Sequence, residues 1–174
     1  MSKLTQEICR LTDRPVHILG AGNIYSLPFM IKAGASSSDC HSAWRRSSDG
    51  GFDKAKILVP LLDENLEFMN SNKSLEYINV QEVVKGGYNF DVDINLIARL
   101  YKQQGKDNEA FYYGEILTFY TAMVQYERII RFCNQNPDYI ERLCNAPDTK
   151  FSETYKILAD LLFYQQNENN IITF

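Results

Sequence analysis

Val16-His17-Ile18-Leu19-Gly20-Ala21-Gly22 and the later run Ala35-Ser36-Ser37-Ser38-Asp39 decide how this chain folds. The first is a compact apolar run that stops on two glycines. It reads as a buried strand of the parallel-sheet kind followed by a tight turn. Ile24–Lys32 then reads as a helix with Pro28 early in it, closed by Gly34. Ala35–Ser38 reads as a second short strand. Strand, turn, helix and strand together have the length of a βαβ unit. In α/β folds, ligands sit at the C-terminal ends of parallel strands, where the Gly20–Gly22 turn and Asp39 both fall.

Upstream, Leu4–Leu11 predicts a short helix with Ser2 or Thr5 at its cap, broken by Asp13-Arg14-Pro15. Downstream, Ile57-Leu58-Val59 predicts a third strand stopped by Pro60, and Tyr77-Ile78-Asn79-Val80 a fourth. Lys85-Gly86-Gly87 marks a hinge. Residues 1–87 therefore read as a β/α segment and residues 88–174 as a helical one. In the second segment, Asp91–Gln104 reads as a helix closed by Gly105. Tyr112, Ile116, Phe119, Met123, Tyr126, Ile130 and Cys133 repeat at spacings of four and three, with Tyr113, Leu117, Tyr120 and Val124 beside them. So wide an apolar arc predicts a long helix packed on two sides, capped by Asp107 or Asn108 and ended by Asn136-Pro137. Phe151, Tyr155, Leu158, Leu161 and Leu162 predict a last helix with Ser152 near its start. The Asn/Gln-rich end, Gln165–Asn170, is expected to fray.

The chain has 174 residues, 45% hydrophobic and 23% charged, which excludes wholesale disorder. Its 18 Lys and Arg against 22 Asp and Glu give a net charge of −4. No basic excess announces a nucleic-acid partner, although a local patch is compatible with one. The charge is uneven. Residues 1–87 hold 10 basic and 10 acidic side chains, and residues 88–174 hold 8 and 12, so the whole deficit lies in the second segment. No apolar run approaches the roughly 18 residues of a membrane span, so no membrane association is expected. The opening Met-Ser-Lys-Leu-Thr-Gln-Glu lacks the apolar core of a signal peptide. The four cysteines, Cys9, Cys40, Cys133 and Cys144, are scattered, which fits a reducing cytoplasm and forms no zinc-ligand spacing.

Three features carry candidate chemistry. Gly20-x-Gly22 after a strand has part of a dinucleotide fingerprint, but Tyr25 occupies the third glycine position and would block close helix–strand packing. A tight turn at a ligand-bearing strand end is the simpler reading. Asp39, at the end of the second strand, is placed to act as a nucleophile or base; the alternative is a turn cap. Trp44 is suited to stack on a base and Arg45 and Arg46 to hold phosphates; the alternatives are a core tryptophan and solvated arginines. Cys40 and His41, adjacent on an extended chain, point to opposite faces and make a poor thiol–imidazole pair. His17, inside an apolar strand, reads as a core histidine. Phosphate-loop and Ser-His-Asp motifs are absent.

Taken together, Arg14-Pro15-Val16-His17-Ile18-Leu19-Gly20-Ala21-Gly22, the helix, Gly34-Ala35-Ser36-Ser37-Ser38-Asp39-Cys40, Arg45 and Gly50-Gly51-Phe52 resemble the tRNA-guanine transglycosylase family. The pattern there is H-x-x-G-x-G, a helix, G-x-D-x-F-D, then T-R and a glycine-rich turn. The likeness continues through Gly114–Thr118 and Tyr126…Arg131, and the Ser-x-Trp-Arg-Arg ending is nearer the DNA-modifying and archaeal-like branches. The resemblance implies the last two β/α units of a TIM barrel that exchanges guanine in tRNA or DNA for a 7-deazaguanine base of the queuosine type. It implies Asp39 as the catalytic nucleophile, Leu19, Gly20 and Gly22 against the base, and Trp44, Arg45 and Arg46 on the nucleic acid.

The chain also departs from that pattern. Ser36 stands for the first aspartate and Ser38 for the phenylalanine. The family's structural zinc needs a C-x-C-x-x-C run and a later His-Asn; the run is absent and Tyr120-Thr121 stands at the second place, so no cofactor is expected. The family's general acid/base and base-reading aspartate belong to earlier strands that this chain does not contain. A barrel takes about 200 residues or more. The expectation is therefore an α/β chain with partial TIM-barrel-like parallel strands and a helical C-terminal segment, completed by a partner chain or a homo-oligomer. The alternatives are a non-catalytic nucleic-acid- or protein-binding subunit, or a truncated remnant of such an enzyme.

Overall fold

The computed structural model of the chain describes residues 2–48, 56–79, 82 and 108–163. They combine helices with short strands, including a small parallel sheet, and divide into two compact units: residues 1–40 with 132–174, and residues 41–131. The Lys85-Gly86-Gly87 hinge, the helix expected over Asp91–Gln104, Gly50-Gly51-Phe52 and the Asn/Gln-rich end lie outside the described residues.

The first unit begins with α1 (Ser2–Arg10), β1 (His17–Ile18), α2 (Leu27–Lys32) and β2 (Ser37–Ser38). β1 and β2 pair in parallel, His17 with Ser37 and Ile18 with Ser38, as the βαβ reading requires. α2 starts later than the apolar pattern predicts. Asn23 Oδ1 accepts the N–H groups of Tyr25 and Ser26, both at 3.0 Å, which holds Asn23–Ser26 as a turn. Pro28 then sits in the first turn of the helix, where a missing N–H costs nothing.

The C-terminal part of this unit holds the end of the long helix from Phe132, a short helix that was not anticipated from sequence (α5, Tyr139–Cys144), and α6 (Thr149–Phe163). Asp148 caps α6, its Oδ1 accepting the Phe151 N–H at 2.9 Å, and Ser152 lies in the first turn, near the start as expected. Four rings run through the unit. Tyr25 stacks on Phe151 at 5.9 Å, Phe151 on Tyr155 at 5.3 Å, and Tyr155 on Phe29 at 4.7 Å between centroids. Tyr25, at the position where a dinucleotide fingerprint needs glycine, is thus part of this aromatic run. Tyr139 donates its hydroxyl to Pro28 O at 3.0 Å, tying α5 to α2. The Tyr155 hydroxyl is buried with no hydrogen-bond partner among the described residues.

The second unit holds α3 (Ser42–Ser48), β3 (Lys56–Leu58), β4 (Tyr77–Asn79) and most of α4 (Asn108–Gln135). β3 and β4 do not continue a parallel series. They pair with each other antiparallel, Ile57 opposite Ile78, and the pairing runs on through Val59 N–H to Glu76 O and Leu75 N–H to Val59 O. The connection between them carries no helix among its described residues. It folds on Asp63, whose Oδ1 accepts the N–H groups of Asn65 and Glu67 at 2.9 Å. Without a crossover helix, two successive strands pair as a hairpin.

α4 corrects the expectation of a helix buried through its aromatic stripes. Ile116, Phe119, Tyr120, Met123 and Ile130 are exposed, while Thr118, Thr121, Gln125 and Arg128 are buried. These four recur at helical spacing on one face, and each bonds the strand segment beside it. Thr118 Oγ1 accepts the Lys56 N–H and Thr121 Oγ1 the Leu58 N–H, both at 3.2 Å. Gln125 Oε1 accepts from Leu61 at 3.0 Å and Leu62 at 3.4 Å, and its Nε2 donates to Leu62 O at 3.1 Å. Arg128 donates to the same carbonyl at 3.1 Å. The edge of β3 away from β4 needs partners when buried, and only polar side chains supply them.

Gln125→Leu leaves the buried N–H groups of Leu61 and Leu62 without their side-chain acceptor, while Leu62 O keeps Arg128; at roughly 1–3 kcal/mol for each orphaned group, urea denaturation is expected to show a loss of about 3 kcal/mol. Tyr155→Phe removes a buried hydroxyl that has no partner among the described residues and is expected to raise stability by about 1 kcal/mol. The same region sets an alkaline limit. Burial pushes the Cys133 thiol from 9.0 up to about 12, and burial also raises the Tyr139 and Tyr155 phenols. Above the unfolded values the unfolded chain releases protons that the folded chain retains. Stability is therefore full below pH 9 and falls as pH rises toward 12, which thermal melts across that range will register.

Candidate functional site

In the first unit the parallel register brings two strand ends side by side. After β1 the chain continues through Leu19 and Gly20; after β2 it continues through Asp39. Gly20 adopts φ +68°, which a glycine accepts without the strain a side chain would bring. That geometry turns its N–H onto Asp39, whose Oδ1 accepts it at 2.5 Å. The Asp39 carboxylate is therefore both a turn-fastening group and an exposed one, with 44% of its side chain open to solvent.

His17 is not a core residue. Its side chain is 46% exposed. Nδ1 lies 2.8 Å from Ser37 Oγ, and Nε2 lies 3.8 Å from Asp39 Oδ1. At this exposure solvent screens the imidazole–carboxylate pair, so its contribution is orientation more than energy. A carboxylate that is fixed by a backbone N–H and flanked by an imidazole is poised to bond an electrophilic carbon or to take a proton.

The serine run has a structural purpose that sequence reading missed. Ser36 Oγ accepts the Val16 N–H at 3.3 Å, Ser37 Oγ meets His17, and Ser38 Oγ donates to Ile18 O at 2.8 Å. Three successive hydroxyls bind β2 to β1 along a sheet only two residues long in each strand. Short side chains with both donor and acceptor capacity were the available signal.

Gly20 and Gly22 differ in surroundings. A Cβ on Gly20 would meet nothing within 4 Å. The space above it is open, and Leu19 beside it is exposed. Leu19 and Gly20 thus form an open apolar ledge next to Asp39. Gly22 is enclosed: a Cβ there would lie 2.8 Å from Ser38 Oγ and 3.1 Å from Asp39 O. Its N–H donates to that same Asp39 carbonyl at 3.0 Å. Gly22 acts from behind, setting the backbone that presents Asp39.

Trp44, Arg45 and Arg46 belong to the second unit, on α3, a helix the sequence reading did not assign. Ala43 is buried and anchors it. Trp44 is 64% exposed, so it is not a core residue; its ring meets Phe119 edge-on at 6.3 Å. The Arg46 guanidinium lies 4.5 Å over the Tyr77 ring, a cation–π contact, and Arg45 is exposed. No three His, Cys, Asp or Glu side chains converge to hold a metal ion among the described residues.

Comparison with protein-family models, with characterised proteins and with solved structures finds no match to this chain.

Gly22→Ala is expected to lower the thermal midpoint and to displace Asp39, because the added methyl meets backbone on one side. Gly20→Ala has room for its methyl and carries only the left-handed backbone cost of about 1–2 kcal/mol. Thermal melts that rank Gly20→Ala as the more damaging change would overturn this assignment.

Proposed function

We propose that the chain is a transglycosylase-type subunit that exchanges guanine in DNA or tRNA for a 7-deazaguanine base, with Asp39 as the nucleophile. In this reading β1, α2 and β2 are C-terminal β/α units of a TIM-type barrel whose remaining strands come from another chain or a second copy, in the cytoplasm. The observation that carries it is the Asp39 carboxylate at a parallel strand end, held by Gly20 N–H beside the open Leu19–Gly20 ledge. The motif order from His17 to Asp39 supports it independently.

The chemistry is a double displacement. An Asp39 oxygen attacks C1′ of the target nucleoside as the bond from C1′ to guanine breaks, and guanine leaves with the bonding pair and takes up a proton. The sugar is then an ester of Asp39. The incoming base gives up its N9 proton and attacks C1′, which releases the carboxylate. A carboxylate suits both steps because it stabilises the oxocarbenium-like centre before and after bonding to it. The target base must leave the stack to reach the ledge, where the Cβ-free Gly20 permits close approach. Proton transfers to and from the bases fall to acidic residues of the completing chain.

The family's zinc has no place in this reading. Tyr120 is exposed, and the Thr121 hydroxyl accepts from Leu58 N–H, where zinc ligands would be needed.

A second reading has its own support. Trp44 is exposed and Arg45 lies beside it in sequence, as a nucleic-acid-binding surface requires, whether or not Asp39 is catalytic. Two variants separate the readings. Asp39→Asn keeps an oxygen for Gly20 N–H, so exchange by the assembled enzyme is expected to vanish with no fall in melting temperature. Full exchange activity in that variant would reject Asp39 as nucleophile. Arg45→Ala is expected to weaken nucleic-acid binding and lower the salt slope by about one, with Asp39→Asn having little effect on affinity.

A further inference from the structure

The face of α4 opposite its buried polar stripe carries Ile116, Phe119, Tyr120, Met123, Glu127 and Ile130, all exposed. Between Ile116 and Ile130 the helix runs about 21 Å. Trp44 borders the face through its edge contact with Phe119. Taking about 200 Å² for a large side chain, the exposed fractions of Trp44 and the five apolar residues leave roughly 600 Å² of surface, at the top of what a monomer's largest patch shows. Each partner in a standard interface contributes about 800 Å². The face is therefore close to half of a complete interface before any flanking residue is added.

We propose that the occupant is a second copy of this chain, its α4 packed antiparallel on the first about a two-fold axis at Met123. An isologous contact requires a surface that complements itself. In this register Met123 meets its own counterpart, and Ile116 of each copy meets Ile130 of the other. Phe119 falls on the side of the other copy's Tyr126. Tyr120 falls beside the other copy's Glu127, a carboxylate able to accept a phenol hydroxyl. Charge does not oppose the pairing, because Glu127 is matched within its own helix by Arg131 at 3.3 Å. A polyanion is a poor alternative occupant: the six positions of the face hold one carboxylate and no cationic side chain. The inference is independent of any role for Asp39.

Sedimentation of the full chain from about 1 to about 100 µM is expected to show a concentration-dependent dimer. Met123→Lys places two ammonium groups on the axis and is expected to weaken the dimer at least about tenfold, with the urea midpoint of the monomer unchanged. Met123→Cys is expected to form an inter-chain disulfide under mild oxidation, whereas the wild-type chain and Glu153→Cys, exposed on α6, do not. A dimer that survives Met123→Lys at full strength, or a Met123→Cys chain that does not cross-link, overturns the proposal. A monomer at every concentration also overturns it. In that case a lowered midpoint in Met123→Lys assigns the face to a segment of the same chain, and an unchanged one to a different protein.

Discussion

The second unit depends on hydrogen bonds between a helix face and a strand edge. β3 is three residues long and, among the described residues, pairs with β4 alone. Its other edge is buried, and buried N–H groups without acceptors are costly. Thr118, Thr121, Gln125 and Arg128 act in place of a neighbouring strand. Gln125 matters most, because past Pro60 the chain has no regular ladder and a single amide serves both Leu61 and Leu62. Once that stripe is committed to the strand, the rotation of α4 is set: Ala122 and Ile129 are buried beside the stripe, and Ile116, Phe119, Tyr120, Met123 and Ile130 face outward.

The first unit solves a related problem by a different route. A parallel pair of two-residue strands has few backbone bonds. Ser36, Ser37 and Ser38 add side-chain bonds to Val16, His17 and Ile18, so the pair is held along its whole length. The strand end is held by Asp39 itself, whose main-chain carbonyl accepts from Gly22 and whose carboxylate accepts from Gly20. The carboxylate is held by the Gly20 N–H, and it is reachable because its side chain is half-exposed and a Cβ on Gly20 would meet nothing within 4 Å.

Aromatic residues are divided between burial and display for identifiable reasons. Tyr25, Phe29, Phe151 and Tyr155 stack in succession and form the interior of the first unit. Trp44, Phe119 and Tyr120 remain at the surface, because polar groups take much of the inward side of α4 and it is Ala43, not Trp44, that α3 buries. Exposed tryptophan and phenylalanine in edge contact are a surface suited to a partner.

Local features of the sequence were sufficient for the βαβ order, the two later strands, the limits of α4 near Asn108 and Asn136, and the placing of Gly20 and Asp39 at strand ends. Each depends on period, glycine or proline, and these act within a few residues. The sequence did not disclose the antiparallel pairing of β3 with β4, the bonds of the serine run, the exposure of His17 and Trp44, or the inversion of α4. Those outcomes depend on partners far along the chain. Apolar period marked α4 as a helix, but it could not say which side faces inward. That was decided by the unpaired edge of β3, because a buried backbone N–H needs an acceptor more than an apolar side chain needs burial.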